Sequence, residues 1–238
     1  MKRLEHLRVK IFADGADLPG MLALYADPLI KGFTTNPTLM RRAGVADYAS
    51  FAAEVIRAIP DRPISFEVFA DEMDEMERQA RLIAPWGENV YVKIPVTNTR
   101  GETTVPLLRR LAASGIKLNV TALTSDRQVQ QVAESLTEAP AAYVSVFAGR
   151  VADTGRDPVP IMASAVEVLK SLPHVELIWA SPRELLNVFQ ADEIGCHVIT
   201  VTFDILKKLQ LIGKDLDVYS LETVKMFYDD GKAAGYAL

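Results

Sequence analysis

Asn89-Val90-Tyr91-Val92-Lys93-Ile94-Pro95-Val96-Thr97 sets one lysine inside an apolar, β-branched run. Such a run has the composition of a parallel strand covered on both faces. A lysine at its centre is turned into the protein interior, where an ammonium is costly unless it is paired or gives up its proton. Moving a lysine pKa from about 10.4 to near 7 takes roughly 4–5 kcal/mol of solvation and charge. A free amine held this way attacks carbonyls to form a Schiff base. The segment alone equally allows a lysine that snorkels to the strand end or pairs with a carboxylate.

Similar apolar runs recur on both sides of it, at 9–14, 32–36, 64–69, 90–96, 117–123, 143–148, 176–181 and 198–203. Amphipathic stretches at 47–59, 71–83, 104–114, 125–136, 160–172 and 182–192 separate them. Eight strand–helix units at a spacing of roughly 30 residues predict an α/β fold, a (β/α)8 barrel, whose usual size is about 250 residues. A doubly wound open sheet is disfavoured because no Gly-rich phosphate fingerprint follows the first strand. No linker interrupts the 238 residues, so 1–238 reads as one barrel domain, with 213–238 as a C-terminal helical extension. The stretches 205–211 and 220–232 are more helix than a barrel needs. They are expected to cap the barrel or contact a partner subunit.

The chain is 49% hydrophobic, enough for a substantial core, and carries a net charge of −5 without a Lys/Arg cluster. Nucleic acid is therefore not an expected partner. The first eight residues lack the apolar run of a signal peptide, and no stretch is long enough to span a membrane, so no membrane association is expected. The single cysteine, Cys196, excludes an internal disulfide and suits a reducing cytoplasm. Its neighbours Gly195, His197 and Val198 suggest packing, not nucleophilic chemistry. His6, His174 and His197 are far apart, so no metal site is expected.

Polar residues recur at alternating positions near the expected strand ends. Thr34 and Asn36, Ser65 and Glu67, Asn119 and Thr121, and Thr200 and Thr202 form such pairs, beside Asp14, Lys93, Ser145 and Ser181. Residues of opposite parity tend to be apolar, as Val92 and Ile94 are beside Lys93. In a barrel, alternate residues face inward and chemistry collects at the C-terminal strand ends. A wet mouth accounts for single hydroxyls. Asp14, Glu67 and Lys93 converging on an apolar interior need one another.

Attack by Lys93 on a ketone gives a carbinolamine and then an imine, and a general acid/base must serve the departing oxygen. Glu67, two residues before the expected end of strand three, suits that task, with Thr121 placing a water. Asp14 suits removal of a substrate hydroxyl proton as a C–C bond breaks. Asn36 and Asn119 offer amides to sugar hydroxyls. Arg150 and Arg183 follow strands six and seven, where forked guanidinium donors suit a phosphate or other oxyanion. A lone arginine there would read as a surface ion pair.

The chain resembles the transaldolase family, particularly the short-chain branch that includes the fructose-6-phosphate aldolases. The resemblance spans nearly the whole sequence. It rests on Gly32-Phe33-Thr34-Thr35-Asn36-Pro37-Thr38, Val92-Lys93-Ile94-Pro95-Val96-Thr97 and Ser145-Val146-Phe147-Ala148-Gly149-Arg150. Ala180-Ser181-Pro182-Arg183 and Gly195-Cys196-His197-Val198-Ile199-Thr200-Val201-Thr202 extend it. It implies a (β/α)8 barrel with the Schiff-base lysine at Lys93, proton transfer at Asp14, and the water-handling pair at Glu67 and Thr121. It puts substrate contacts on Asn36, Asn119 and Ser145, and phosphate contacts on Arg150, Ser181 and Arg183. Thr34 and Phe147 complete the expected substrate-binding set.

The resemblance further implies a cofactor-free transferase of pentose phosphate and carbohydrate metabolism, acting on sugar phosphates as a homo-oligomer, a pentamer or decamer. Glu67 and Phe147 resemble transaldolases, since the aldolase branch has Gln and Tyr there. Gly15-Ala16 after Asp14, Pro182 before Arg183, and Phe203 depart from the family pattern. The expected activity is transfer of a dihydroxyacetone unit between a ketose phosphate and an aldose phosphate. The alternatives are a transferase for an unusual anionic sugar, an aldolase releasing dihydroxyacetone, and an inactive sugar-binding barrel.

Overall fold

The computed structural model describes residues 4–237. Residues 1–3 and 238, at the extremes of the expected leaderless start and of the 1–238 domain, lie outside the described residues. Eight parallel strands close into a barrel in chain order: β1 Lys10–Asp14, β2 Ile30–Thr34, β3 Ile64–Glu67, β4 Val90–Pro95, β5 Leu118–Leu123, β6 Ala142–Val146, β7 Val175–Trp179 and β8 Val198–Thr202. The helices are α1 Leu18–Tyr25, α2 Pro37–Arg42, α3 Tyr48–Ala58, α4 Met73–Ile83, α5 Val105–Ala113, α6 Asp126–Ser135, α7 Ala148–Asp153, α8 Val159–Leu169, α9 Leu186–Glu193, α10 Phe203–Leu206 and α11 Leu216–Ala233.

Strand alternation divides the apolar residues into two cores. Val92, Ile94, Leu118, Val120 and their equivalents join the helices in the outer core. Phe12, Tyr143, Ile178, Ala180 and Val198 fill the barrel interior, with Tyr91 and Phe147 against them. Lys10 donates to both Glu176 carboxylate oxygens at 2.6 and 2.5 Å, near the N-terminal end of the strands. This filled lower interior leaves the C-terminal mouth as the place for a site, as the fold requires.

Local chemistry moves several expected boundaries. Asn36 is not in β2 but caps α2, its Oδ1 accepting from the Leu39 N–H at 3.0 Å ahead of Pro37. An Asn cap followed by Pro is a strong helix start. Glu67 is the last residue of β3, and β6 stops at Val146 because residues 148–153 form α7. The helix expected from 182 begins at Leu186. Ser125 and Gln128 form a reciprocal capping box at α6, close to the expected start.

The tail folds as α10, a 3-10 turn at Lys207–Leu211, and α11. None of the α11 residues is buried, so α11 is not a packed cap on the barrel. Val224, Phe227 and Tyr228 stay 59, 65 and 63% exposed. Among the described residues, no helix is long and apolar enough to cross a membrane.

Candidate active site

A cavity of about 540 Å³ opens at the C-terminal ends of the strands, and every expected site residue except Asn119 lines it. Lys93 stands on β4, only 6% exposed. The strand register sets it between Glu67 of β3 and Asn119 of β5. Its Nζ lies 3.1 Å from Glu67 Oε2 and donates to the Thr35 carbonyl oxygen at 3.2 Å. The lysine therefore meets its burial by pairing, and it still faces open space. Tyr48 holds the carboxylate's strand in place, its hydroxyl donating to the Glu67 carbonyl oxygen at 2.7 Å.

Asp14 ends β1 on the same cavity wall, next to Thr34 and Thr202 in the strand register. The Thr34 hydroxyl donates to Asp14 Oδ1 at 2.7 Å and lies 2.5 Å from the Thr200 hydroxyl. Thr34 has one hydroxyl hydrogen, so Thr200 must donate to Thr34 when Thr34 serves Asp14. Burial lifts the Asp14 carboxyl above its ordinary value, against the opposing pull of Lys93 and Thr34 and with help from the Glu67 charge. The phenyl ring of Phe203 backs this loop. A Cβ on Gly15 would come within 3.0 Å of that ring, and one on Gly20 within 2.4 Å.

Asn119 lies under the cavity, fully buried. Its Nδ2 donates to Ser65 Oγ at 2.9 Å, and its Oδ1 accepts from Ser145 Oγ at 2.7 Å. Its amide is therefore engaged with Ser65 and Ser145 beneath the cavity, and Asn119 does not line the cavity wall where it was expected. Two residues further, β5 loses its regular register with β6 between Val120 and Leu123. Ala122 takes φ +65 there. A bulge of this kind re-aims its neighbour, and Thr121 lines the cavity. Its hydroxyl oxygen is buried without a hydrogen-bond partner among the described residues.

The rim is basic. Arg150, on α7, stacks over the Phe147 ring at 5.7 Å. Arg183 donates to Asp153 through Nε at 3.0 Å and also through Nη2, and its Nε reaches the Gly149 carbonyl oxygen at 3.4 Å. The ion pair expected of a lone rim arginine is thus real at Arg183, although the residue still lines the cavity. Ser181 holds φ +59, in the left-handed region. A Cβ at Gly149 would lie 1.5 Å from the Ser181 carbonyl oxygen, so only glycine lets α7 approach the β7 end. The same cavity is lined by Thr38, Leu39 and Arg42 of α2 and by Ala122, none of which was expected. Helix α2 has six residues, too few to show a period in the sequence.

The cysteine is buried, and burial pushes its thiol up to about 12. His197 accepts from the Leu177 N–H through Nδ1, and burial lowers its pKa. Neither lines the cavity. Among the described residues, no group of three or more His, Cys, Asp or Glu could hold a metal ion.

Fold and site together define a (β/α)8-barrel protein with a lysine and two carboxylates under a basic mouth. The Transaldolase/Fructose-6-phosphate aldolase family matches residues 11–236, and the chain belongs to that family. A probable transaldolase of Methanococcus maripaludis is 35% identical over 202 residues, 84% of this chain and 89% of the relative. A probable transaldolase of Thermoanaerobacter sp. is 33% identical over 228 residues, 95% of this chain and 99% of the relative. Among solved structures, a putative lyase/mutase from Burkholderia cenocepacia covers 87% of this chain and 80% of its own at TM-score 0.59 and 14% identity. A 2,3-dimethylmalate lyase covers 98% and 86% at TM-score 0.53 and 15% identity. At those identities the two structures speak to the fold.

Proposed function

We propose that the chain is a transaldolase, moving a dihydroxyacetone unit from a ketose phosphate to an aldose phosphate through a Schiff base at Lys93. One observation carries the reading: a buried lysine nitrogen 3.1 Å from a carboxylate oxygen on the wall of an open cavity. At that distance Glu67 can take the ammonium proton and free the amine for attack on the keto carbon. The resulting carbinolamine hydroxyl leaves as water when Glu67 returns the proton, with the unpartnered Thr121 hydroxyl suited to hold that water. Asp14 removes the proton from the hydroxyl β to the imine. The C–C bond then breaks, an aldose leaves, and the electron pair rests on an enamine at Lys93. Attack of that enamine on a second aldose phosphate, with Asp14 returning the proton, reverses the sequence. No metal or cofactor enters this scheme.

Arg150, Arg183 and Ser181 support the phosphate end, and Asn36 and Ser145 the hydroxyls near the reacting carbons. Thr34 serves through Asp14 and Asn119 through Ser145. Borohydride added with fructose 6-phosphate is expected to leave a covalent mass on Lys93, mapped by peptide mass spectrometry. No adduct with any of several ketose phosphates overturns the reading.

Glu67 and Phe147 bear on transfer against release to water. Glu67→Gln with Phe147→Tyr is expected to raise free dihydroxyacetone release relative to transfer. An unchanged ratio removes these two residues from the choice. We also infer one barrel domain over 1–238 with 213–238 as its extension, a cytoplasmic location from the lone Cys196, and a homo-oligomer. The uncovered apolar side chains of α11 support the last, which the mass in solution by light scattering checks.

A further inference from the structure

Three arginines line one cavity, but they stand differently. Arg183 gives two donors to Asp153, so that pair adds little net charge to the rim. Arg150 supplies one positive charge, stacked on Phe147. A phosphate monoester carries about −1.5 to −2 near neutral pH. Against that dianion, the β6–β7 side of the mouth is roughly one charge short.

Arg42 supplies the missing charge from across the barrel, since β2 lies four strands from β6 in the closed order. It follows Thr38 by four positions and Leu39 by three on α2, and residues at those spacings share a helix face. All three line the cavity. Arg41 falls on another face and lines a separate groove with Met40, Tyr48 and Phe69. A helix-end arginine facing solvent would be unremarkable. Arg42 is exposed at the helix end, but it also lines a cavity whose acids, Asp14 and Glu67, lie by Lys93 at the floor.

We propose that Arg42 is a specificity-determining anion contact, closing over the phosphate of the bound sugar from the α2 side and selecting phosphorylated substrates over neutral ones. This rests on the reading of the cavity as a sugar-phosphate site. The planar fork suits a phosphate whose other oxygens are already held by Arg150 and Ser181.

The test compares wild type, Arg42→Gln, Arg42→Lys and, as a charge-matched control, Arg41→Gln. For Arg42→Gln we expect KM for fructose 6-phosphate to rise about tenfold, the size of one charge-assisted hydrogen bond, with kcat within about twofold. The Kd of inorganic phosphate by calorimetry should rise in parallel. Turnover or borohydride trapping of neutral dihydroxyacetone should not change. Arg42→Lys should recover most of the loss, and Arg41→Gln should behave as wild type. Unchanged phosphate affinity in Arg42→Gln overturns the proposal. So does an equal loss in Arg41→Gln, which would mean long-range charge alone, or a parallel loss for the neutral substrate, which would mean structural damage. The phosphate measurement does not depend on chemistry at Lys93, so loss of the Schiff-base reading would appear separately, as absence of any adduct in wild type.

Discussion

Replacing Lys93 by methionine is expected to lower transfer activity by at least about 10⁴-fold, because among the described residues no other amine lines the cavity to form the imine. The borohydride adduct should vanish with it. The same change should leave a mark on stability whose sign follows from the pair. Glu67, with its side chain 17% exposed, loses the cation 3.1 Å away and is left as a lone carboxylate in a protein wall. Breaking a buried pair costs about 3–5 kcal/mol, an upper limit here because Glu67 keeps contact with the cavity. Stability should therefore fall. Adding Glu67→Gln to Lys93→Met should restore the melting temperature without restoring activity, the non-additivity expected of touching groups. Retention of activity within tenfold of wild type by the single variant, measured as transfer between two sugar phosphates, would end the lysine-centred mechanism.

Much of this site is legible in the chain because inward parity survives folding. Asp14, Glu67, Lys93, Thr121 and Ser145 alternate with apolar or glycine neighbours in the sequence, and the closed barrel turns every one of them, and Thr34, to the cavity. Depth is the quantity that parity does not carry. Asn119 and Thr121 share a face of β5, but the register sets Asn119 beside Lys93 and Thr121 beside Pro95, one layer higher. That register depends on the stagger of all eight strands, a global property with no local sequence mark.

The short helices at the mouth were the other loss. Residues 148–153 include Gly149 and are too few for a helical period, so the expected strand 143–148 takes in only the first residue of α7 and the rest carries no expected element. Arg42 disappeared for the same reason, although Asn36-Pro37 is a recognisable helix start. The Lys10–Glu176 pair shows that parity also brings charge inward at the N-terminal end, where it serves as filling. Polar parity thus finds the barrel interior, and the C-terminal strand end is needed to find the site.

Asp14→Asn should separate the two halves of the proposed reaction. Imine formation uses Lys93 and Glu67, so the borohydride adduct with fructose 6-phosphate should persist. Cleavage of the C–C bond needs a base for the β-hydroxyl, so turnover should fall by roughly 10²–10⁴-fold. The expected gain in stability follows from the raised pKa of Asp14, which burial lifts above its ordinary 3.8. A group whose folded-state pKa exceeds its unfolded value stabilises the fold fully only below the unfolded value. It loses that contribution as pH rises through the folded one. Above its ordinary value the buried Asp14 carboxyl therefore works against folding, and asparagine removes the ionisable group while its Oδ1 can still accept from Thr34 Oγ1. The variant should melt higher than wild type near pH 7–8, by about 2–4 °C for each kcal/mol recovered. The difference should shrink as pH falls through and below the ordinary 3.8, where Asp14 becomes protonated in the unfolded state as well as in the folded one. A protein that stores a carboxylate in a buried setting gives up stability for a base poised to accept a proton, the trade seen where function needs a strained group. A lower melting temperature for Asp14→Asn at pH 7, or loss of the trapped adduct, would show that Asp14 holds the cavity together instead of moving the proton.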